Sequence, residues 1–168
     1  MTAPTSAQAL LACLNASNDC DLPMEQIQFG SPIEPTNVAY NTRIEISAAD
    51  ESPFAGSGFY HYNRLELNLL DPGFSIEIDE NDDIQTVGGI AEQLNAIWRV
   101  GLSPEDIDNW NDAIPEDGIV TLLASETSLA WIGSLTVTLS YGSAEPELPE
   151  LSAVVQNIQL PPLTFQQG

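Results

Sequence analysis

The chain has 168 residues, of which 43% are hydrophobic, and a net charge of −22. That charge comes from 25 acidic residues set against three arginines (Arg43, Arg64, Arg99) and no lysine. Such a surface repels nucleic-acid phosphate and anionic lipid, so neither is expected as a partner; a basic protein surface or a cation-rich medium is compatible with it.

No apolar run of about 18 residues occurs, so no membrane-spanning helix is expected. The opening "MTAPTSAQALLACLNASND" lacks a basic residue ahead of its apolar stretch, and no secretory signal is expected. Thr5 and Gln8 are spaced as a capping box. Ala7, Leu10, Leu11 and Leu14 then recur at helical spacing, which predicts a helix over residues 6–17. Cys13 falls on this segment and Cys20 in the turn after it. Two cysteines are too few for a disulfide framework, and with one histidine a Cys/His zinc site is not expected. Free thiols are the expectation. Gly30 and Pro32 break the chain. Val38, Tyr40, Ile44 and Ile46 suit a strand, "DESPFAGSG" a turn, and "FYHYNRLELNLL" a second strand with Leu65, Leu67 and Leu69 on one buried face. Asp71-Pro72-Gly73 is a turn, followed by a short strand at Phe74, Ile76 and Ile78.

Val87, Ile90, Ala91, Leu94, Ile97 and Trp98 then predict a second amphipathic helix, followed by strands in "GIVTLLAS" and "SLAWIGSLTVTLSYG". "LLACLNASNDCDLPMEQI" (residues 10–27) is echoed by "IAEQLNAIWRVGLSPEDI" (residues 90–107). Identities fall at Leu14/Leu94, Asn15/Asn95, Ala16/Ala96, Leu22/Leu102, Glu25/Glu105 and Ile27/Ile107. Ile44-x-Ile46-x-Ala48 is matched by Val120-x-Leu122-x-Ala124, and Gly56-Ser57 by Gly133-Ser134. The order helix, L-x-x-E-x-I loop, strand, G-S turn, strand thus occurs twice. An isolated hairpin is marginal in water, so two such units are expected to share a core. The fold class expected is α+β: two tandem helix–loop–β-hairpin units packed as one domain, with an extended C-terminal arm. The divisions are 1–83, 84–142 and 143–168. In the arm, Pro146, Pro149, Pro161 and Pro162 exclude a helix, and alternation at Val154, Gln156, Ile158 and Leu160 suggests a strand that adds to a neighbouring subunit. Val154, Ile158, Leu160, Pro161, Pro162, Leu163 and Phe165 are the candidate interface residues.

Catalytic and metal signals are weak. In "DENDD", Asp79, Asn81 and Asp83 match the first ligand positions of a calcium loop, but Ile84 replaces its glycine and Ile90 its glutamate. A solvated linker ahead of a helix is the expected role. His61 sits between two tyrosines on a strand, Ser57 lies in a Gly-Ser-Gly turn, and no lysine follows Gly88-Gly89 to make a phosphate loop. Trp98, Trp110 and Trp131 read as core or interface anchors. Each arginine is expected to pair with carboxylates, Arg43 and Arg64 from adjacent strands. No nucleophile–base pair is present, so neither an enzyme nor a cofactor is expected.

The phrase at residues 10–27, the strand start Asn41-Thr42-Arg43-Ile44, and Gly56-Ser57 ahead of Tyr62-Asn63-Arg64-Leu65 resemble virion structural proteins of tailed bacteriophages. The resemblance covers about residues 5–142. The second copy departs from it by reading Leu-Ser-Tyr-Gly at residues 139–142. It implies a non-enzymatic tail, baseplate or collar component located in the virion, whose partners are other virion proteins, including copies of itself. The other class compatible with the charge is an acidic binding or inhibitor protein directed at a basic partner.

Overall fold

The computed structural model describes residues 3–36, 39–78 and 84–141. Val38, the "DENDD" stretch and the whole arm, with all seven candidate interface residues, lie outside the described residues.

Helix α1 spans Ser6–Asn18 and starts where expected. The Thr5 Oγ1 accepts from the Gln8 N–H at 3.3 Å, while the Thr5 N–H donates to Gln8 Oε1 at 2.9 Å. Both halves of the capping box are therefore made. Helix α2 spans Val87–Trp98, and its Thr86 cap accepts from the Gly89 N–H at 3.3 Å. Both helices stop in the same way. Asp19 (φ 51°) and Arg99 (φ 55°) turn left-handed, each donating its N–H to the carbonyl of the asparagine four residues before it. That asparagine then clamps the loop. Asn15 receives the Leu22 N–H and donates to the Leu22 carbonyl, both at 3.0 Å. Asn95 does the same with Leu102, at 2.7 and 2.8 Å. A side-chain amide presents the same donor and acceptor pair as a peptide, so it satisfies a loop that has no backbone partner.

The described strands are β1 (Ile27–Phe29), β2 (Thr42–Ala48), β3 (Ser57–Tyr62), β4 (Leu65–Glu66), β5 (Ile76–Ile78), β6 (Ile119–Leu123), β7 (Trp131–Ile132) and β8 (Ser134–Tyr141). They form three sheets, ordered β1-β2-β3, β4-β7 and β5-β8-β6. The molecule is therefore mixed α+β. The hairpins β2–β3 and β6–β8 are antiparallel, with Ser47 opposite Ser57 and Leu123 opposite Ser134. Ile27 pairs with Ala48, and Ile107 bridges Ala124. Two parallel pairings link the halves in ways no local pattern announces: Leu65 with Trp131, and Ile76 with Leu139.

Three expectations need correction. The second predicted strand breaks at Asn63-Arg64. Asn41 Oδ1 accepts the Arg64 N–H at 2.8 Å and Asn41 Nδ2 donates to the Arg64 carbonyl at 2.9 Å, so a side chain takes over from the ladder. A 3₁₀ turn at Leu67–Leu70 follows, which buries Leu67 and Leu70 and leaves Leu65 and Leu69 exposed. The C-terminal end of α2 is also wetter than its periodicity implies, since Ile97 and Trp98 are exposed. Lastly, the core that the two units share holds only part of the apolar interior, because α1 stays outside it. The large cluster gathers Ile90, Ala91 and Leu94 of α2 against β5, β6 and β8, with Leu67, Leu70 and Trp131. α1 packs on its own sheet through two smaller clusters, one around Leu10, Ile44 and Tyr62, the other around Leu11, Leu14 and Ile27.

Polar links span the two halves. The Asp106 carboxylate is 1% exposed. It accepts from Ser6 Oγ (2.6 Å), Ser128 Oγ (2.7 Å), Ser103 Oγ (2.8 Å) and the Ser103 N–H (3.2 Å). Three chain segments thus converge on one buried anion, whose desolvation cost is offset by charge-assisted hydrogen bonds. Gly101 (φ 74°) lies so close to the Pro4 carbonyl that a Cβ at this position would collide with it.

Candidate functional site

An apolar cleft of about 510 Å3 lies between α1 and β3. Its helical wall is the stripe Ser6, Ala9, Leu10, Cys13 and Ser17, spaced by three and four residues so that all fall on one face. The opposite wall is the consecutive run at residues 60–63. Successive strand side chains point to opposite faces, so a cleft lined by consecutive residues runs along the edge of the strand. Among the described residues, β3 is an edge of its sheet, with β2 on one side. Leu65, Leu129 and Ala130 close one end.

The tyrosines give the cleft its chemistry. Tyr60 and Tyr62 stack with centroids 5.9 Å apart, and the Tyr60 hydroxyl lies 3.1 Å from Ser17 Oγ. Tyr62 is 9% exposed, and its hydroxyl is buried without a hydrogen-bond partner among the described residues. Burial pushes the Tyr62 phenol up to about 12, against the opposing pull of the Arg64 cation. Burial likewise lowers the Arg64 guanidinium, while Tyr62 and then Glu34 favour its charge.

His61 lies in the wall with its ring 6.3 Å from that of Tyr40, tilted by 39°. None of the hydrogen bonds among the described residues orients its imidazole, whereas a general base needs a partner to fix its tautomer. Cys13 and Cys20 are both free and exposed. Among the described residues, no three His, Cys, Asp or Glu side chains are grouped to hold a metal ion.

Among the described residues, the contacts of Arg64 and Arg43 are with groups other than the carboxylates expected. Arg64 donates from Nε to Thr42 Oγ1 at 3.0 Å and from Nη1 to the carbonyls of Glu126 (3.2 Å) and Ser128 (3.1 Å). It therefore fastens the turn of the second half to the first sheet. Arg43 lies with Cζ 4.6 Å above the Phe59 ring, and its buried Nε has no hydrogen-bond partner among the described residues. A weakly hydrated, planar guanidinium tolerates such a stacked position.

A second surface feature lies on the opposite half. Ile119, Thr121 and Leu123 of β6 alternate with the buried Val120 and Leu122; Ser134, Thr136, Thr138 and Ser140 of β8 alternate with the buried Leu135, Val137 and Leu139. The outward face of this hairpin carries no charged side chain. Thr121 and Thr136 hydroxyls meet across it at 3.0 Å. The candidate interface residues of the arm fall outside the described residues, so the geometry brings none of them to either surface. Sequence reasoning passed over both surfaces because a cleft beside an edge strand and an uncharged sheet face depend on strand order.

Residues 1–168 match a family of unknown function (DUF7941), and the chain belongs to that family. No curated protein and no solved structure matches it.

Proposed function

We propose that this member of the family is a non-enzymatic building block of a bacteriophage virion, tail-, baseplate- or collar-associated, which assembles in copies through sheet faces and its C-terminal arm. The observation that carries the assembly reading is the uncharged outer face of the β6–β8 hairpin, in a chain holding 25 acidic residues. The hairpin's outward positions hold no charged side chain, as at the centres of protein interfaces, and Glu77 of β5 stands at the border of this face opposite Ser140. The virion assignment is supported by the sequence resemblance over residues 5–142.

The same reading derives both halves from one duplicated helix–loop–hairpin unit. Supporting it are the Asn15–Leu22 and Asn95–Leu102 clamps, the left-handed Asp19 and Arg99, and the paired bonds from Ala48 N–H to the Gly56 carbonyl and from Ala124 N–H to the Gly133 carbonyl. Loop-length differences account for the drift in spacing between the copies.

The test is to tag the chain in its host, purify intact phage particles, and measure both its presence there and its native mass. Incorporation as a multimer is expected. A monomer absent from particles that instead captures a basic protein overturns this reading in favour of the acidic-inhibitor class, which the net charge of −22 supports.

A further inference from the structure

We infer that the cleft between α1 and β3 receives an added strand, and that its occupant is the segment at residues 154–160 of this chain. The argument begins from a mismatch between the halves. β8 has a neighbour on each side: β6 antiparallel, and β5 parallel through Ile76–Leu139 and Ile78–Tyr141. Ile76 and Ile78 are each 4% exposed and pack in the cluster that holds Ile90 and Leu94 of α2. β3 occupies the place of β8 in the first half, with the same hairpin register, yet among the described residues β2 alone pairs with it. Where β5 lies against β8, β3 borders the cleft. The short β7 reaches this edge only beyond it, at Leu65 and Glu66.

An edge strand beside an apolar groove is a template for strand addition: main-chain hydrogen bonds supply affinity, and alternate side chains supply fit. The segment at 154–160 matches these requirements in sequence. Val154, Gln156, Ile158 and Leu160 share one side, and Val155, Asn157 and Gln159 share the other. The Ile-Gln-Leu at its end mirrors the Ile-Glu-Ile of β5. Electrostatics agree with the pairing. No carboxylate and no guanidinium lines the cleft, and residues 151–168 contain no charged side chain, so docking adds no repulsion to a molecule of net charge −22.

The inference rests on the assembly reading only for the source of the arm, which there belongs to a neighbouring copy. Cys13 lines the cleft and is exposed, so it serves as the probe. In the full chain carrying Cys20→Ser, one cysteine is added by Gln156→Cys, Ile158→Cys or Asn157→Cys, and disulfide formation is followed under mild oxidation. Gln156→Cys and Ile158→Cys are expected to cross-link to Cys13 at least about ten times faster than Asn157→Cys, because a disulfide needs its Cβ atoms on facing sides. No cross-link to Cys13, or equal rates at the three positions, overturns the inference. A cross-link between two chains supports both the occupant and subunit exchange. A cross-link within one chain supports the occupant and overturns subunit exchange.

Discussion

At the scale of single residues, three polar side chains hold what the hydrophobic pattern leaves open. Asn95 makes two hydrogen bonds to Leu102 that no other group replaces. Asn95→Ala is expected to lower stability by about 2 kcal/mol, read as a shift of the urea midpoint without a change in slope. Asn15→Ala is expected to behave alike. Asp106→Ala leaves the Ser6, Ser103 and Ser128 hydroxyls without their acceptor and is expected to cost about 3 kcal/mol or more, with Asp106→Asn milder because one acceptor oxygen remains. Tyr62 sets the alkaline limit. Its folded-state pKa of about 12 stands above the ordinary 10, so the folded state binds that proton more tightly than the unfolded chain. The associated stability is fully present below pH 10 and is lost as pH rises towards 12. Thermal melts of Tyr62→Phe between pH 9 and 12 are expected to fall less steeply than those of the parent chain; equal slopes would show that Tyr62 does not carry the effect.

Among the elements, the two helices were the most legible. Capping residues act within four positions, and the buried stripes at Leu10, Leu11 and Leu14 and at Ile90, Ala91 and Leu94 follow a local period. The segment at residues 62–70 was less so. Leucines at alternate positions suit a strand, but Asn41, from another part of the chain, takes the backbone groups of Arg64 and ends the ladder. Gly88 marks another contact hidden from periodicity. A Cβ there would collide with the Trp110 indole, so this turn of α2 lies directly on the ring. Alanine is normally favoured over glycine inside a helix, yet Gly88→Ala is expected to destabilise by about 1–3 kcal/mol through overpacking. Differential scanning calorimetry of Gly88→Ala, with Gly88→Ala/Trp110→Leu as relief, separates the clash from an intrinsic helix effect.

For the whole molecule, polar links join the two helix-on-sheet halves alongside the large apolar cluster and the two parallel strand pairings. Arg64 and Asp106 each draw on residues from both halves. Assembly is expected to depend on what lies outside these contacts. Deleting residues 143–168 is expected to abolish the multimer while leaving the circular-dichroism spectrum of a folded α+β core. Thr136→Arg together with Thr138→Arg is expected to reduce association at the sheet face while lowering the unfolding free energy of the isolated chain by no more than about 1 kcal/mol, about 0.5 for each surface substitution. Unchanged native mass in both variants would remove both surfaces from assembly.

The sequence by itself determined the helices, the Thr5–Gln8 cap, the antiparallel hairpins and the echo of Asn15 at Asn95, because each rests on neighbours within a few residues or on simple alternation. Only the tertiary structure decided the strand order, the parallel pairings through β5 and β7, the roles of Arg64 and Asp106, and the cleft beside β3. Those depend on residues separated by up to 100 positions, as Ser6 and Asp106 are, and on which sheet edge is left uncovered. No local period encodes such neighbours; the mutual burial of faces and the need to pair every buried polar group select them.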